Sequence, residues 1–320
     1  MMREGALDTA GHTANQTDQM QDQPNRRLVD LLYREILGRR ADESGIAAYN
    51  HLLCKADRDA GIAASVRSLL SSNEYRNRPD HVAQFAHRAL SPRGTRQING
   101  KPVSHVVSLG THCLAGFFVK QYGLKRYSLP FDWLFSSPDA VLHCLDDNFA
   151  TFLDRSHYVS ITERRATKEP GAEHRFYNQT YNVGDMFAHR DPLIPDDYRY
   201  VRDTVARFNA VMASMEAKLF VMIARPRHDA VRAFPLLSDK IRSTTENSAF
   251  ICVQLAEPTQ QVGCRSMNML RSSGDHALYE FKPSSSELGL GFDEPLDDMT
   301  IMRLVWQYEF DLRDVRVPTD

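Results

Sequence analysis

No apolar run in this 320-residue chain approaches the roughly 20 residues that a membrane-crossing helix needs. Its first residues, Met1-Met2-Arg3-Glu4-Gly5, lead into Thr, Gln, Asp and Asn without an apolar core, so a secretory signal is not expected. Cysteine is sparse: five residues, at 54, 113, 144, 252 and 264, an odd set without close pairs. Such usage suits a reducing compartment rather than a disulfide framework, and the expectation is a soluble, cytoplasmic protein. Neither CxxC nor HExxH occurs, so no metal site is expected; GxGxxG and GxxxxGK[ST] are missing too, and no cofactor is implied. With 39 basic against 41 acidic side chains the net charge is −2, which argues against nucleic acid as a partner.

What is there is ordinary for a globular chain: 42% hydrophobic and 25% charged residues, in a length that accommodates two domains. Residues 1–25 are polar and lack aromatics, which predicts a disordered tail. From Arg26 apolar residues recur at helical spacing, through Leu28, Leu31, Leu32, Ile36 and Leu37 up to a capping Gly38. Asp42 caps a second predicted helix, residues 61–71 give a third, and a fourth is expected near 80–90. Residues 26–90 thus read as a small all-helical module. Residues 91–102, with two prolines and two glycines, read as a linker.

Residues 103–320 read as an α/β domain. A strand at 103–109 passes into a helix at 114–122, and another helix starts at Ser137-Pro138. A strand is expected over Tyr177–Val183, followed by a loop at 187–192. The last third alternates: helix 197–217, strand 219–224, helix 229–243, strand 250–255, a short strand at 278–281 and a closing helix from Asp297 to Phe310. Near-continuous apolar strands separated by helices predict a mostly parallel sheet covered on both faces.

Chemistry concentrates where the first strand ends, at Ser108-Leu109-Gly110-Thr111-His112-Cys113. The thiol falls at a helix N-terminus, where unpaired N–H groups and the macrodipole favour an anion. The expected consequence is a thiol pKa below the free value of about 8.5. A cysteine nucleophile needs a base and a group that orients the base. His189 follows Cys113 in the chain, and Asp191 shares a face with His189 if that stretch is extended. His112 is a rival base, although neighbours on a helix point apart.

The helical segment, through Tyr33-Arg34-x-x-Leu37-Gly38-Arg39, Asp42-x-x-Gly45 and Ser72-Asn73-Glu74-Tyr75, resembles a helical domain related to phycobilisome linkers. That resemblance covers residues 27–77 and implies a positioning module that meets a protein partner. The second domain, through Ser108-Leu109-Gly110-x-x-Cys113, Pro130-Phe131-Asp132-Trp133 with Ser137, Asp147-Asn148-Phe149 and His189-x-Asp191, resembles a bacterial family described as putative papain-like cysteine peptidases. Over residues 104–225 the resemblance implies a cysteine-dependent hydrolase or acyl-transfer enzyme acting on a peptide, acyl or glycan substrate. Cys113, His189 and Asp191 would be catalytic, with Asp132, Trp133, Ser108 and Gly110 binding substrate.

Structural readings stand beside these. Gly110 serves a tight strand-to-helix turn, Trp133 and Phe131 serve as core anchors, and Asp132 caps a helix or orients a neighbour. A glycan-related transferase, or a carbohydrate- or nucleotide-sugar-binding protein, could use the same loop without covalent catalysis. Papain-like folds join a helical lobe to an antiparallel sheet, whereas this chain predicts a parallel one.

Overall fold

The computed structural model describes residues 25–37, 39–54, 58–76, 94–164, 167–259 and 264–312. The chain divides into two compact units, residues 1–85 and 86–320. Residues 1–24 of the expected tail, Gly38 and the expected helix near 80–90 lie outside the described residues.

The first unit is helical: α1 over 25–37, whose last turn Tyr33–Leu37 widens to a π turn, then α2 Glu43–Leu53, α3 Arg58–Ser71 and α4 Asn73–Arg76. Asp42 starts α2 by accepting the Gly45 amide at 2.7 Å. Arg39 donates to Glu74 from Nε and Nη2 at 2.5 and 2.7 Å, and its guanidinium lies 5.0 Å from the Tyr33 ring centre. Gly45 is needed for a close approach, since a Cβ there would stand 2.3 Å from Tyr33 Oη. Val29, Leu37, Leu53, Leu69 and Tyr75 are buried within this unit.

The second unit is built on a five-stranded sheet of order β1-β4-β5-β7-β6. The strands are β1 Val103–Ser108, β4 Ala217–Ala224, β5 Ser248–Leu255, β6 Ser266–Ser273 and β7 His276–Lys282, with β2 Tyr158–Ile161 and β3 Gly171–His174 forming a separate antiparallel hairpin. β1, β4, β5 and β7 run parallel and β6 runs antiparallel to β7. All eight residues of β4 are buried, as the apolar run Leu219–Ala224 requires of a strand covered on both faces, and Lys218 is buried with its ammonium donating to Ser214 O, Glu216 O and Glu246 O. The helices are α5 Cys113–Gln121, α6 Pro138–Asp146, α7 Ala150–Leu153, α8 Arg175–Tyr181, α9 Pro195–Ala213, α10 Ala230–Thr244 and α11 Pro295–Val305. α6 begins as its sequence dictates: Ser137 accepts the Ala140 amide at 3.1 Å, and Pro138 occupies the first turn.

The fold thus has the anticipated class, a helical unit followed by an α/β unit with a mostly parallel sheet, and it departs from expectation in places. Residues 175–181 form helix α8, not a strand; Tyr177 and Tyr181 are one turn apart and their rings stack at 6.0 Å. Local aromatic content mimicked β-propensity, and packing of one helical face decided otherwise. The stretch read as a linker is built into the α/β unit from Gly94 on. Ile98 is fully buried, Arg96 pairs with Tyr308 and Val103 with Phe310 in parallel bridges, and Arg96 donates to Asp275 at 2.8 Å. The closing helix therefore stops at Val305, and residues 308–310 take up strand-like pairing.

Candidate active site

β1 ends at Ser108, yet its pairing with β4 continues one step, with the Leu109 amide donating to Val221 O at 2.8 Å. The chain then turns through Gly110, where a Cβ would meet His112 O at 2.6 Å. Thr111 clamps the turn from both sides: its hydroxyl donates to Ile223 O at 3.0 Å, and its carbonyl accepts the Ser136 amide at 2.9 Å. Cys113 is the first residue of α5 and is 6% exposed. One turn later Gly116 brings α5 backbone against backbone onto the Pro130–Trp133 turn; a Cβ there would lie 2.4 Å from Asp132 O. A glycine inside a helix costs about 1 kcal/mol against alanine, and this approach is the return for it.

His189 reaches the thiol from the loop between α8 and α9. Phe187 anchors one side of the loop in the core, and Met186 O accepts the Phe135 amide at 3.0 Å. On the other side Arg190 pairs with Asp197 at 2.7 Å and stacks on the Tyr200 ring at 3.9 Å. Between these anchors His189 Nε2 lies 3.4 Å from Cys113 Sγ. The His189 and Trp133 rings stand perpendicular, 6.1 Å between centres. Trp133 is held in turn by Lys125, whose ammonium lies 4.7 Å from the indole centre and donates to the buried Asp132 at 2.7 Å.

The electrostatics depart from the expectation of a helix-activated thiolate. Burial pushes the Cys113 thiol up to about 11, against the opposing pull of Arg225 and of the Cys113 amide itself. Burial also lowers His189, aided by Arg164. Both shifts favour a neutral pair, thiol beside imidazole, over thiolate beside imidazolium. Desolvation at a nearly closed position outweighs the helix terminus.

Beneath the loop lies a buried polar group that spacing in the sequence could not bring together. His112 turns away from the sulfur, with Nδ1 3.2 Å from Thr111 Oγ1 and Nε2 3.5 Å from Glu287 Oε1. Arg225, just past β4, donates to Glu287 from Nε and Nη2 at 2.6 and 3.2 Å. Burial alone would raise Glu287, yet the nearby His112 imidazole and the bonds from Arg225 hold it down at about 2. His112 is thereby occupied as a wedge under the loop and does not act as the rival base.

Of the expected site residues, the structure brings together Cys113, His189 and Trp133. Asp191 is not brought to the imidazole: its carboxylate accepts the Leu193 amide at 3.0 Å, closing a local turn. Asp132 is 3% exposed and spends its carboxylate on Lys125 and on the Leu129 amide at 2.8 Å, so it does not face a ligand. Ser108 is buried with its hydroxyl on the Gly110 amide at 3.3 Å, and Gly110 is buried too; both shape the turn. Sequence reasoning missed Lys125, Gly116, Arg225 and Glu287. Gly116 alone carried a signal, a glycine within a helical run. Among the described residues no group of three or more His, Cys, Asp or Glu side chains is placed to hold a metal.

A cysteine at a strand-to-helix turn, with a histidine from a later loop against its sulfur, defines a cysteine–histidine site on an open α/β sheet. Residues 104–247 match the model of the family described as putative papain-like cysteine peptidase, and this match bears out the resemblance read from the motifs. No curated protein and no solved structure matches the chain. With its parallel sheet, the unit shares with papain-like enzymes the order of cysteine and histidine and not the antiparallel architecture. No helix among the described residues is long and apolar enough to cross a membrane.

Proposed function

We propose that the α/β unit is a cysteine-dependent hydrolase or acyl-transfer enzyme, with Cys113 as nucleophile and His189 as its base. The observation that carries this reading is the 3.4 Å approach of His189 Nε2 to Cys113 Sγ. In the resting state the proton stays on sulfur. As the sulfur attacks a carbonyl, His189 Nε2 takes that proton, and the imidazolium then gives it to the departing amine or alcohol. A thioester on Cys113 remains, and water or another acceptor, deprotonated by the same imidazole, releases the acyl group. Cys113 opens α5 without a capping side chain, and the amides of a first helical turn, which the helix itself does not pair, suit the oxyanion that forms in each step.

Trp133 takes the place that an orienting carboxylate holds in other triads. The ring is fixed by Lys125, which Asp132 holds, so Asp132 acts on the imidazole at two removes. The helical unit, by its resemblance, is proposed to position the enzyme on a protein partner. The test is acid-quenched mass spectrometry of the protein after incubation with activated ester and thioester substrates. An acyl adduct on Cys113, missing in Cys113→Ala and forming about 10²–10⁴-fold more slowly in His189→Ala, supports the mechanism. Acylation at another cysteine, or turnover without an adduct that survives Cys113→Ala, overturns it.

A further inference from the structure

The loop over residues 284–293 is pinned from the start of α11. Asp297 accepts the Ser284 and Ser285 amides at 3.0 and 2.9 Å, and Asp298 accepts the amide of the fully buried Phe292 at 2.8 Å. The pinned loop delivers Glu287, its side chain 13% exposed, to the carboxyl ends of β1 and β4. There Arg225 gives it two hydrogen bonds, and the buried His112 ring, one residue before Cys113, lies 3.5 Å away. The charges around Cys113 are thereby balanced in pairs. Asp132 is matched by Lys125 and Glu287 by Arg225. Burial lowers His112, His189 and His228, so all three are neutral at pH 7. Arg227 is exposed, where water and salt screen it, and Arg164 acts on His189 from the segment between β2 and β3. Arg225 is the strongest charge acting on the Cys113 thiol, and Glu287 opposes it.

We infer that Glu287 is a positioning residue for Cys113: it keeps the Arg225 guanidinium paired and the His112 imidazole turned beneath the loop, so that the sulfur is met by His189. The inference rests on the nucleophile reading above and adds a residue to its machinery. Glu287 thereby maintains the resting state in which the proton stays on sulfur. A brace acts through shape, and losing either partner of the Arg225–Glu287 pair would then disturb the turn alike. A charge acts with a sign. Removing the carboxylate leaves a cation that favours thiolate, whereas removing the guanidinium leaves an anion that disfavours it.

The measured quantity is the rate at which iodoacetamide alkylates Cys113 at pH 9, read by mass spectrometry on the full chain. A carbon–sulfur bond forms, iodide leaves and the thiol proton passes to the buffer. Glu287→Gln keeps the shape and removes the charge, and it should raise the rate about tenfold, as a thiol lowered by about one pH unit requires. Arg225→Met should lower the rate about tenfold. Glu287→Asp, which keeps the charge, should stay within about threefold of wild type, and so should the double variant Arg225→Met/Glu287→Gln. Thermal melting checks that each variant folds. If Arg225→Met fails because it strands a buried carboxylate, the contrast between Glu287→Gln and the double variant suffices. Rates that move in the same direction in both single variants overturn the assignment. So does a double variant as reactive as Glu287→Gln, which would mean that the turn has merely opened, and so does a Glu287→Gln rate within about twofold of wild type. Because labelling is read in place of turnover, such a failure leaves Cys113 as the nucleophile. Acylation at another residue overturns the nucleophile reading and leaves the measured charge balance in place.

Discussion

In the helical unit, Arg39 is taken up by Glu74, Asp42 and the Tyr33 ring, and Asp42 also caps α2, so its motif residues satisfy one another. In the α/β unit the motif residues divide. Asp132, Ser108 and Gly110 are consumed in the same inward manner, whereas Cys113 and His189 face each other, with no ion pair to either among the described residues. The first motif is a packing device and the second is a packing device built around a reactive pair. What separates them is a residue pair, 76 positions apart in the chain, whose two side chains meet each other.

The sharpest way to break this comparison is to remove the pair. Cys113→Ala should lower acyl turnover by 10³-fold or more, Cys113→Ser nearly as much, and the double variant with His189→Ala should lose little beyond either alone. Arg39→Ala should leave turnover by the α/β unit unchanged, as a steady-state assay of the same substrates would show. Iodoacetamide labelling of Cys113 should still be climbing as pH approaches about 11, in keeping with a buried thiol. Ultraviolet difference absorbance between wild type and Cys113→Ala should show no thiolate at pH 7.

Acid should distinguish the units next. His105, His174 and His276 are buried in the α/β unit, and burial lowers each to about 4. The unfolded chain binds these protons at pH near 6.5 and the folded one does not, so stability is fully present above that pH. It falls as pH drops from 6.5 towards 4, by an amount on the order of 2–3 kcal/mol per histidine. Calorimetry across that range should show the α/β transition moving to lower temperature. A transition that holds steady would mean that these imidazoles are protonated in the folded state.

Glycine substitutions give a smaller contrast. Gly116→Ala forces α5 away from a rigid backbone turn and should cost about 1–3 kcal/mol, with loss of activity because Trp133 moves with that turn. Gly45→Ala meets the far end of a tyrosine side chain instead, which can shift, so it should cost less than Gly116→Ala and spare turnover. The smallest effect belongs to Asp191→Asn, which keeps the local turn and should change kcat/KM by less than about threefold; a large loss would return Asp191 to the imidazole.

Legibility of the chain followed the range of the interactions. The parallel strands β1, β4 and β5 announce themselves as buried apolar runs, and Ser137-Pro138 announces α6, because those signals are local. Cys113 and His189 were legible as residue types with a motif around them. Their burial was not, and the direction of the thiol shift was misread, because desolvation depends on what the rest of the chain stacks over the turn. Asp191 looked like an orienting acid by its spacing of two, whereas a bond to the amide two residues on is the shorter route for an aspartate followed by proline. Arg225 and Glu287 carried no local mark and meet only through the closing of the sheet. The polar edge strand β6 and the hairpin β2–β3 escaped notice since neither alternates cleanly between apolar and polar.

The pairing of residues 96–103 with 307–311 has a mechanical consequence. Four backbone hydrogen bonds, from Arg96, Val103, Glu309 and Asp311 amides, stitch the incoming chain alongside the outgoing one in parallel. Tension applied between the two ends of the unit loads these bonds in shear, all together rather than one after another. The unit is therefore self-latching: a pull between its first and last strands is met by these bonds before the sheet that carries Cys113 is peeled open.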